Sequence, residues 1–143
     1  LDLFAGSGGL GIEALSRGAS RATFVEANPD AVAMIKSNLA LTGLADRAEV
    51  IRQKAESFAE GSRFRPQETF DVVFADPPYE LGIPSAALEA LAGSGRLAPD
   101  ALVVVEVSSR LEDLNPPAGY RLLEVRRYGD SKLLYLQPEQ GDH

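Results

Sequence analysis

Asp76-Pro77-Pro78-Tyr79 is the segment of this chain whose residue types could do chemistry together. A carboxylate accepts hydrogen bonds, two prolines fix the backbone around it, and an aromatic ring can stack on a flat ligand. The four residues follow the apolar run Phe70-Asp71-Val72-Val73-Phe74-Ala75, so a strand delivers the acid onto a rigid turn. In an open α/β sheet ligands sit at the carboxyl ends of strands, which makes this turn a candidate pocket wall.

A second group stands near the start of the chain. Gly6, Gly8 and Gly11 satisfy G-x-G-x-x-G, and Glu26 lies 20 residues past Gly6, at the end of the next apolar run. Glycines let the backbone approach a ligand closely, and a carboxylate after the second strand can accept from both ribose hydroxyls. The pattern suits a nucleoside. A dinucleotide and S-adenosylmethionine both carry that ribose, and the glycines alone do not choose between them.

These residues need strands and helices to hold them, and the chain alternates accordingly. Residues 1–4 read as a strand and 10–17 as a helix, with Ile12, Ala14 and Leu15 as its apolar face. A strand over 22–25 ends at Glu26. Asn28 is an N-cap and Pro29 a first-turn residue, so a helix over 29–41 follows and stops near Gly43. Residues 49–52 read as a strand, 55–60 as a short helix, and 61–68 as a polar loop before the strand that ends at Asp76. A helix over 85–92 precedes the β-branched run 102–107, which has the composition of a buried strand. Two last strands, 120–127 and 132–137, flank the turn Tyr128-Gly129-Asp130-Ser131. Parallel βα units thus close with an antiparallel pair.

Composition narrows the function. With 143 residues, 45% of them hydrophobic, residues 1–143 make a single domain that can bury its own core. There is no cysteine and the lone histidine is His143, so a Cys- or His-based metal site is not expected. No apolar run approaches the roughly 18 residues that cross a bilayer, and no basic-then-apolar stretch resembles a signal peptide; a cytoplasmic protein without membrane contact is expected. The chain opens on Leu1 inside an apolar stretch, which predicts that an N-terminal part of a longer protein is missing here. A net charge of −7 argues against a nucleic-acid partner unless that missing segment carries the basic surface.

Taken together, Asp2-Leu3-Phe4-Ala5-Gly6-Ser7-Gly8, the run from Gly11 to Ala19, Phe24-Val25-Glu26, Phe74-Ala75-Asp76-Pro77-Pro78-Tyr79 and Tyr128-Gly129-Asp130-Ser131-Lys132-Leu133 resemble the bacterial ribosomal RNA guanine-N2 methyltransferase family that modifies 16S RNA. The resemblance covers nearly the whole chain. It implies a Rossmann-like class I methyltransferase fold: an α/β protein with a seven-stranded, mostly parallel sheet, a C-terminal antiparallel hairpin, and helices on both faces. It implies S-adenosylmethionine as methyl donor, S-adenosylhomocysteine as product, 16S rRNA or an assembling small ribosomal subunit as partner, no metal, and an Arg-rich N-terminal extension. A monomer is the expected state.

Carried over residue by residue, the resemblance sets the methionine part of the cofactor against Phe4, Ala5, Gly6, Ser7 and Gly8, and the ribose on Glu26. Asp2 braces that loop or meets the cofactor ammonium; a purely structural carboxylate is an equal alternative. Ala27 and Asn28 would flank the adenine, with Asn28 also serving as helix cap. One position departs from the family pattern, because Gln53-Lys54-Ala55-Glu56 stands where an Asp or Asn often accepts from the adenine amine. Lys54 cannot accept, which leaves backbone groups around Ala55 or the Gln53 side chain.

The acceptor chemistry explains the four-residue motif. The lone pair of an exocyclic amine is delocalised into its ring, so Asp76 and the Pro77 carbonyl would take its two N–H hydrogens and aim that lone pair at the methyl group. Tyr79 would stack on the base and Pro78 would help hold the turn; an Asp at its ordinary pKa is already ionised at neutral pH. Such an amine in a helix must first be unpaired or flipped out. Glu106, at the end of its strand, could line the same pocket, and residues 80–84 could form a lid. Two rivals remain: a DNA adenine-N6 methyltransferase, for which 143 residues leave no recognition domain, and a NAD-dependent oxidoreductase, which does not account for residues 76–79.

Overall fold

The computed structural model describes residues 1–61, 69–78 and 82–139. Its sheet has seven strands: β1 (Asp2–Leu3), β2 (Ala22–Glu26), β3 (Ala48–Arg52), β4 (Phe70–Ala75), β5 (Leu97–Ser108), β6 (Tyr120–Tyr128) and β7 (Ser131–Pro138). They lie in the order β3-β2-β1-β4-β5-β7-β6. The first five run parallel, and β7 pairs antiparallel with both β5 and β6. The order reverses between β1 and β4, and that topological switch opens a crevice at the carboxyl ends of these strands.

Four α-helices connect the parallel strands: α1 (Gly9–Ser16), α2 (Pro29–Thr42), α3 (Ala55–Glu60) and α4 (Ser85–Gly93). Leu15 of α1 and Ile35 and Leu39 of α2 pack with Phe24 on one side of the sheet. Phe58 of α3 and Leu88 and Leu91 of α4 pack with Val73, Val103, Val105, Leu134 and Leu136 on the other. The alternation of β5 follows from this: Val103, Val105 and Val107 are buried under α3 and α4, while Leu102, Val104 and Glu106 are half-buried on the opposite face.

Local chemistry sets the element ends. Asn28 Oδ1 accepts from the N–H groups of Asp30 and Ala31, Pro29 opens α2, and Gly43 closes it in the left-handed region at φ 72°. The buried Arg96 guanidinium donates to the Phe58 carbonyl at 2.6 Å and to the Gly61 carbonyl, and it stands over the Phe58 ring, so it holds the end of α3 against the start of β5.

The ends of β1 and β5 differ from their sequence reading for physical reasons. β1 is only two residues long, because Phe4 turns out of the strand at φ 58°, a conformation that costs an L-residue of order 1–3 kcal/mol. β5 begins at Leu97 rather than 102, so Pro99 lies inside it; the register with β4 slips between Phe70 and Val72, and a bulge of this kind admits a proline.

Candidate active site

Register brings the candidate residues to one level of the sheet. Leu3 of β1 pairs with Val25 of β2 and with Ala75 of β4, and Ala75 in turn pairs with Val105 of β5. One residue further along each strand stand Phe4, Glu26, Asp76 and Glu106. The glycine loop, the ribose candidate and the acidic turn, 70 residues apart in sequence between Gly6 and Asp76, therefore share one rim of the sheet.

On the β1–β2 side the backbone is densely tied. The Ala5 N–H donates to the Val25 carbonyl at 3.1 Å, and the Gly8 N–H to the Ala5 carbonyl at 2.8 Å. Glu26 Oε1 accepts from the Gly6 N–H at 2.9 Å, and Oε2 from the Asn28 N–H at 2.8 Å. The half-buried carboxylate thus fastens the glycine loop to the end of β2. Each oxygen spends one lone pair on an amide and keeps acceptor capacity for a hydroxyl. Asn38 of α2, a residue absent from the sequence reading, donates from Nδ2 to the exposed Ser7's carbonyl at 3.0 Å. The contact spans 31 positions, so nothing local in the sequence signals it.

Each glycine has its own task. Gly6 adopts φ 58° with open space where a Cβ would point, whereas a Cβ on Gly8 at φ 82° would press on Ile35 at 3.2 Å. A Cβ on Gly11 would stand 2.7 Å from Phe24 Cζ, so α1 can lie against β2 only if that position is glycine. Asp2 is buried, and its Oδ2 accepts from the Gly11 N–H at 3.1 Å, bracing α1 rather than the loop itself. Burial pushes the Asp2 carboxyl up to about 7, against the opposing effect of the Gly11 hydrogen bond.

The adenine side is sparser. The Gln53 N–H donates to the Glu26 carbonyl at 3.1 Å, which holds the β3 exit beside β2. Ala27 is exposed; Ala55, the first residue of α3, buries its side chain in the core and so offers the rim only backbone. Asn28 is occupied as the cap of α2, and Lys54 precedes α3 in extended conformation without capping it through its side chain.

On the β4–β5 side Asp76 is solvent-exposed, Pro77 buried and Pro78 exposed. Tyr79, Glu80 and Leu81 lie outside the described residues, so the stacking residue and the first part of the suggested lid are not placed. Asp76 departs from the ordinary value expected of it. Partial burial, then a hydrogen bond with the Glu106 side chain and the nearby Glu106 charge, push its carboxyl up to about 6. It still ionises at neutral pH. Among the described residues no group of three or more His, Asp or Glu is placed to hold a metal ion, and no helix is long and apolar enough to cross a membrane.

The sequence profile of the family described as conserved hypothetical protein 95 matches residues 1–137. The chain is 38% identical over 130 residues to the ribosomal RNA small subunit methyltransferase D of Haemophilus influenzae, covering 90% of this chain and 66% of that protein. It is 37% identical over 145 residues to the protein of the same name from Escherichia coli K12, covering 99% of this chain and 70% of that one. This chain therefore spans about two thirds of the length of these relatives. A solved structure of a conserved hypothetical protein from Streptococcus pyogenes superposes with a TM-score of 0.84 at 37% identity, covering 99% of this chain and 86% of that one. The chain belongs to the conserved hypothetical protein 95 family, together with relatives named ribosomal RNA small subunit methyltransferase D.

Proposed function

We propose that this protein transfers a methyl group from S-adenosylmethionine to the exocyclic N2 amine of a guanosine in 16S rRNA, as free RNA or in an assembling small subunit. The observation that carries the reading is the shared rim: the Glu26-fastened glycine loop on one side of the switch point and Asp76-Pro77-Pro78 on the other. The relatives' names supply the substrate class.

The residues suit the donor. Open space beside Gly6 and the spare lone pairs of Glu26 fit a nucleoside lying across the ends of β1 and β2. Phe4, Ala5, Ser7 and Gly8 would flank its methionine part, and Ala27 and the Ala55 backbone its adenine. When bound, the cofactor supplies an electrophilic methyl group on a sulfonium. Every other part falls to the chain. Asp76, ionised at neutral pH, accepts one N–H of the target amine; the carbonyl of Pro77 accepts the other, and the rigid Pro77-Pro78 backbone keeps the two acceptors in fixed relation. Tyr79 stacks on the extruded base, a contact worth about 1–3 kcal/mol in single-strand binders.

Radiolabelled donor offered with 16S rRNA, small subunits and adenine-containing duplex DNA tests the reading. Label in RNA, recovered as N2-methylguanosine, supports it; label in DNA as N6-methyl-2′-deoxyadenosine replaces it with the DNA reading.

A further inference from the structure

Glu106 has no part in the scheme above, yet it is the side chain that bears most directly on Asp76. The pairing of Ala75 with Val105 brings Asp76, the first residue past the end of β4, beside Glu106 of the parallel strand β5. Strand alternation turns Glu106 to the sheet face opposite α3 and α4, since Val105 is buried beneath those helices, and Asp76 leaves the sheet at the same level. After partial burial, the Glu106 side chain is what raises the Asp76 carboxyl, through a hydrogen bond and its charge. A hydrogen bond between carboxyl groups requires a proton on one of them.

We propose that Glu106 is a positioning residue for Asp76, and that the two carboxyls act as one pair that takes up the proton released when the target amine is methylated. The inference rests on the proposed methyl transfer and deepens it. As the amine nitrogen forms its new bond to carbon, the bond from that carbon to sulfur breaks, and the nitrogen is left with a positive charge and one proton too many. That proton passes to Asp76, whose O–H then donates to Glu106. Charge balances: the amine returns to neutral, and the pair falls from two negative charges to one. A lone exposed Asp is a weak base, whereas an Asp beside a second carboxylate holds a proton close to the operating pH.

Other charges around the pair act in the same direction or are engaged elsewhere. Asp2 of β1 lies close enough for its carboxyl to feel the Asp76 charge. Lys132 of β7 pairs with Val107, on the opposite sheet face from Glu106, and its ammonium donates to the Leu111 carbonyl at 2.9 Å. Arg126 of β6 lies across Leu133 from Glu106, and it bonds Glu124 at 3.0 Å while standing over the Tyr135 ring.

The test is the Glu106→Gln variant of the whole protein, because Gln keeps the shape and a hydrogen bond while removing the second charge. Carbon-13 titration of the Asp76 carboxyl, without ligand, should give a midpoint near 6 in the wild type and one nearer the ordinary carboxylate value, about 3.9, in the variant. The acid limb of kcat/KM should move down in pH alongside it, with plateau kcat reduced roughly tenfold to a hundredfold. Binding of S-adenosylhomocysteine in a calorimeter should not change. Glu106→Ala should lose more kcat than Glu106→Gln, since it also removes the hydrogen bond. An unmoved Asp76 midpoint overturns the proposal, as does a moved midpoint with an unmoved acid limb. A wild type that titrates as stated but methylates no RNA overturns the function instead, and leaves the carboxyl pair standing.

Discussion

The two halves of the rim are built differently. On the donor side, around β1 and β2, nearly every polar group is spoken for: Glu26 by two amides, Asp2 by Gly11, the Ser7 carbonyl by Asn38, and the Gly8 N–H by Ala5. On the acceptor side, around β4 and β5, Asp76 and Pro78 are exposed, and the acid's character is set by its partial burial and by a neighbouring acid, Glu106. Part of the fold's own hydrogen bonding fixes the first half. Two prolines and a proton equilibrium set the second. A loop that must receive the same cofactor in every cycle benefits from such preorganisation, whereas a group that must gain and lose a proton cannot be locked by permanent donors.

That contrast can be broken at either end, and the largest effect should come from the acceptor side. Asp76→Ala should cut methyl transfer by on the order of 10²–10⁴ while leaving calorimetric cofactor binding nearly intact. Equal loss of both would mean that the halves are not separate. Gly11→Ala should act on the fold, because its Cβ would run into the buried Phe24 ring; overpacking of this kind costs about 1–3 kcal/mol, read as a lower denaturation midpoint. Glu26→Ala should weaken cofactor binding by roughly tenfold to a hundredfold, consistent with a lost charged hydrogen-bond acceptor worth about 1.5–3 kcal/mol, with kcat at saturating donor much less affected.

The smallest effect concerns pH. Asp2 keeps its proton in the fold up to about 7, whereas in the unfolded chain it loses it near 3.8. Between those values the folded state binds more protons, so this group's contribution to stability is present at low pH and lost as pH rises through about 7. Wild-type thermal midpoints should therefore fall between pH 5 and pH 8 by more than those of Asp2→Asn, whose amide oxygen can still accept from Gly11.

Much of this architecture is legible in the chain because local rules agree with the fold. Asn28, Pro29 and Gly43 mark the ends of α2, and the apolar run before Asp76 is β4 residue for residue. The pairing of Tyr128 with Ser131 across Gly129 and Asp130 follows from the turn composition. The rest depends on distance in space. Pro99 reads as a strand breaker, and only the slipped register with β4 lets β5 start before it. Asn38 looks like any polar helix residue until the glycine loop arrives beside it. The raised pKa of Asp76 is likewise invisible along the chain, since it comes from partial burial in the fold and from Glu106, which lies 30 positions away and becomes its neighbour only through the β4–β5 register.

The central claim is that one rim joins a donor half to an acceptor half for methylation of guanine N2. Small ribosomal subunits lacking the modification, incubated with labelled S-adenosylmethionine and either wild type or Asp76→Ala and then digested to nucleosides for mass spectrometry, test it most directly. The account predicts labelled N2-methylguanosine from the wild type and none from the variant, although both bind the donor equally. Label in any other nucleoside, or undiminished label with Asp76→Ala, would contradict it.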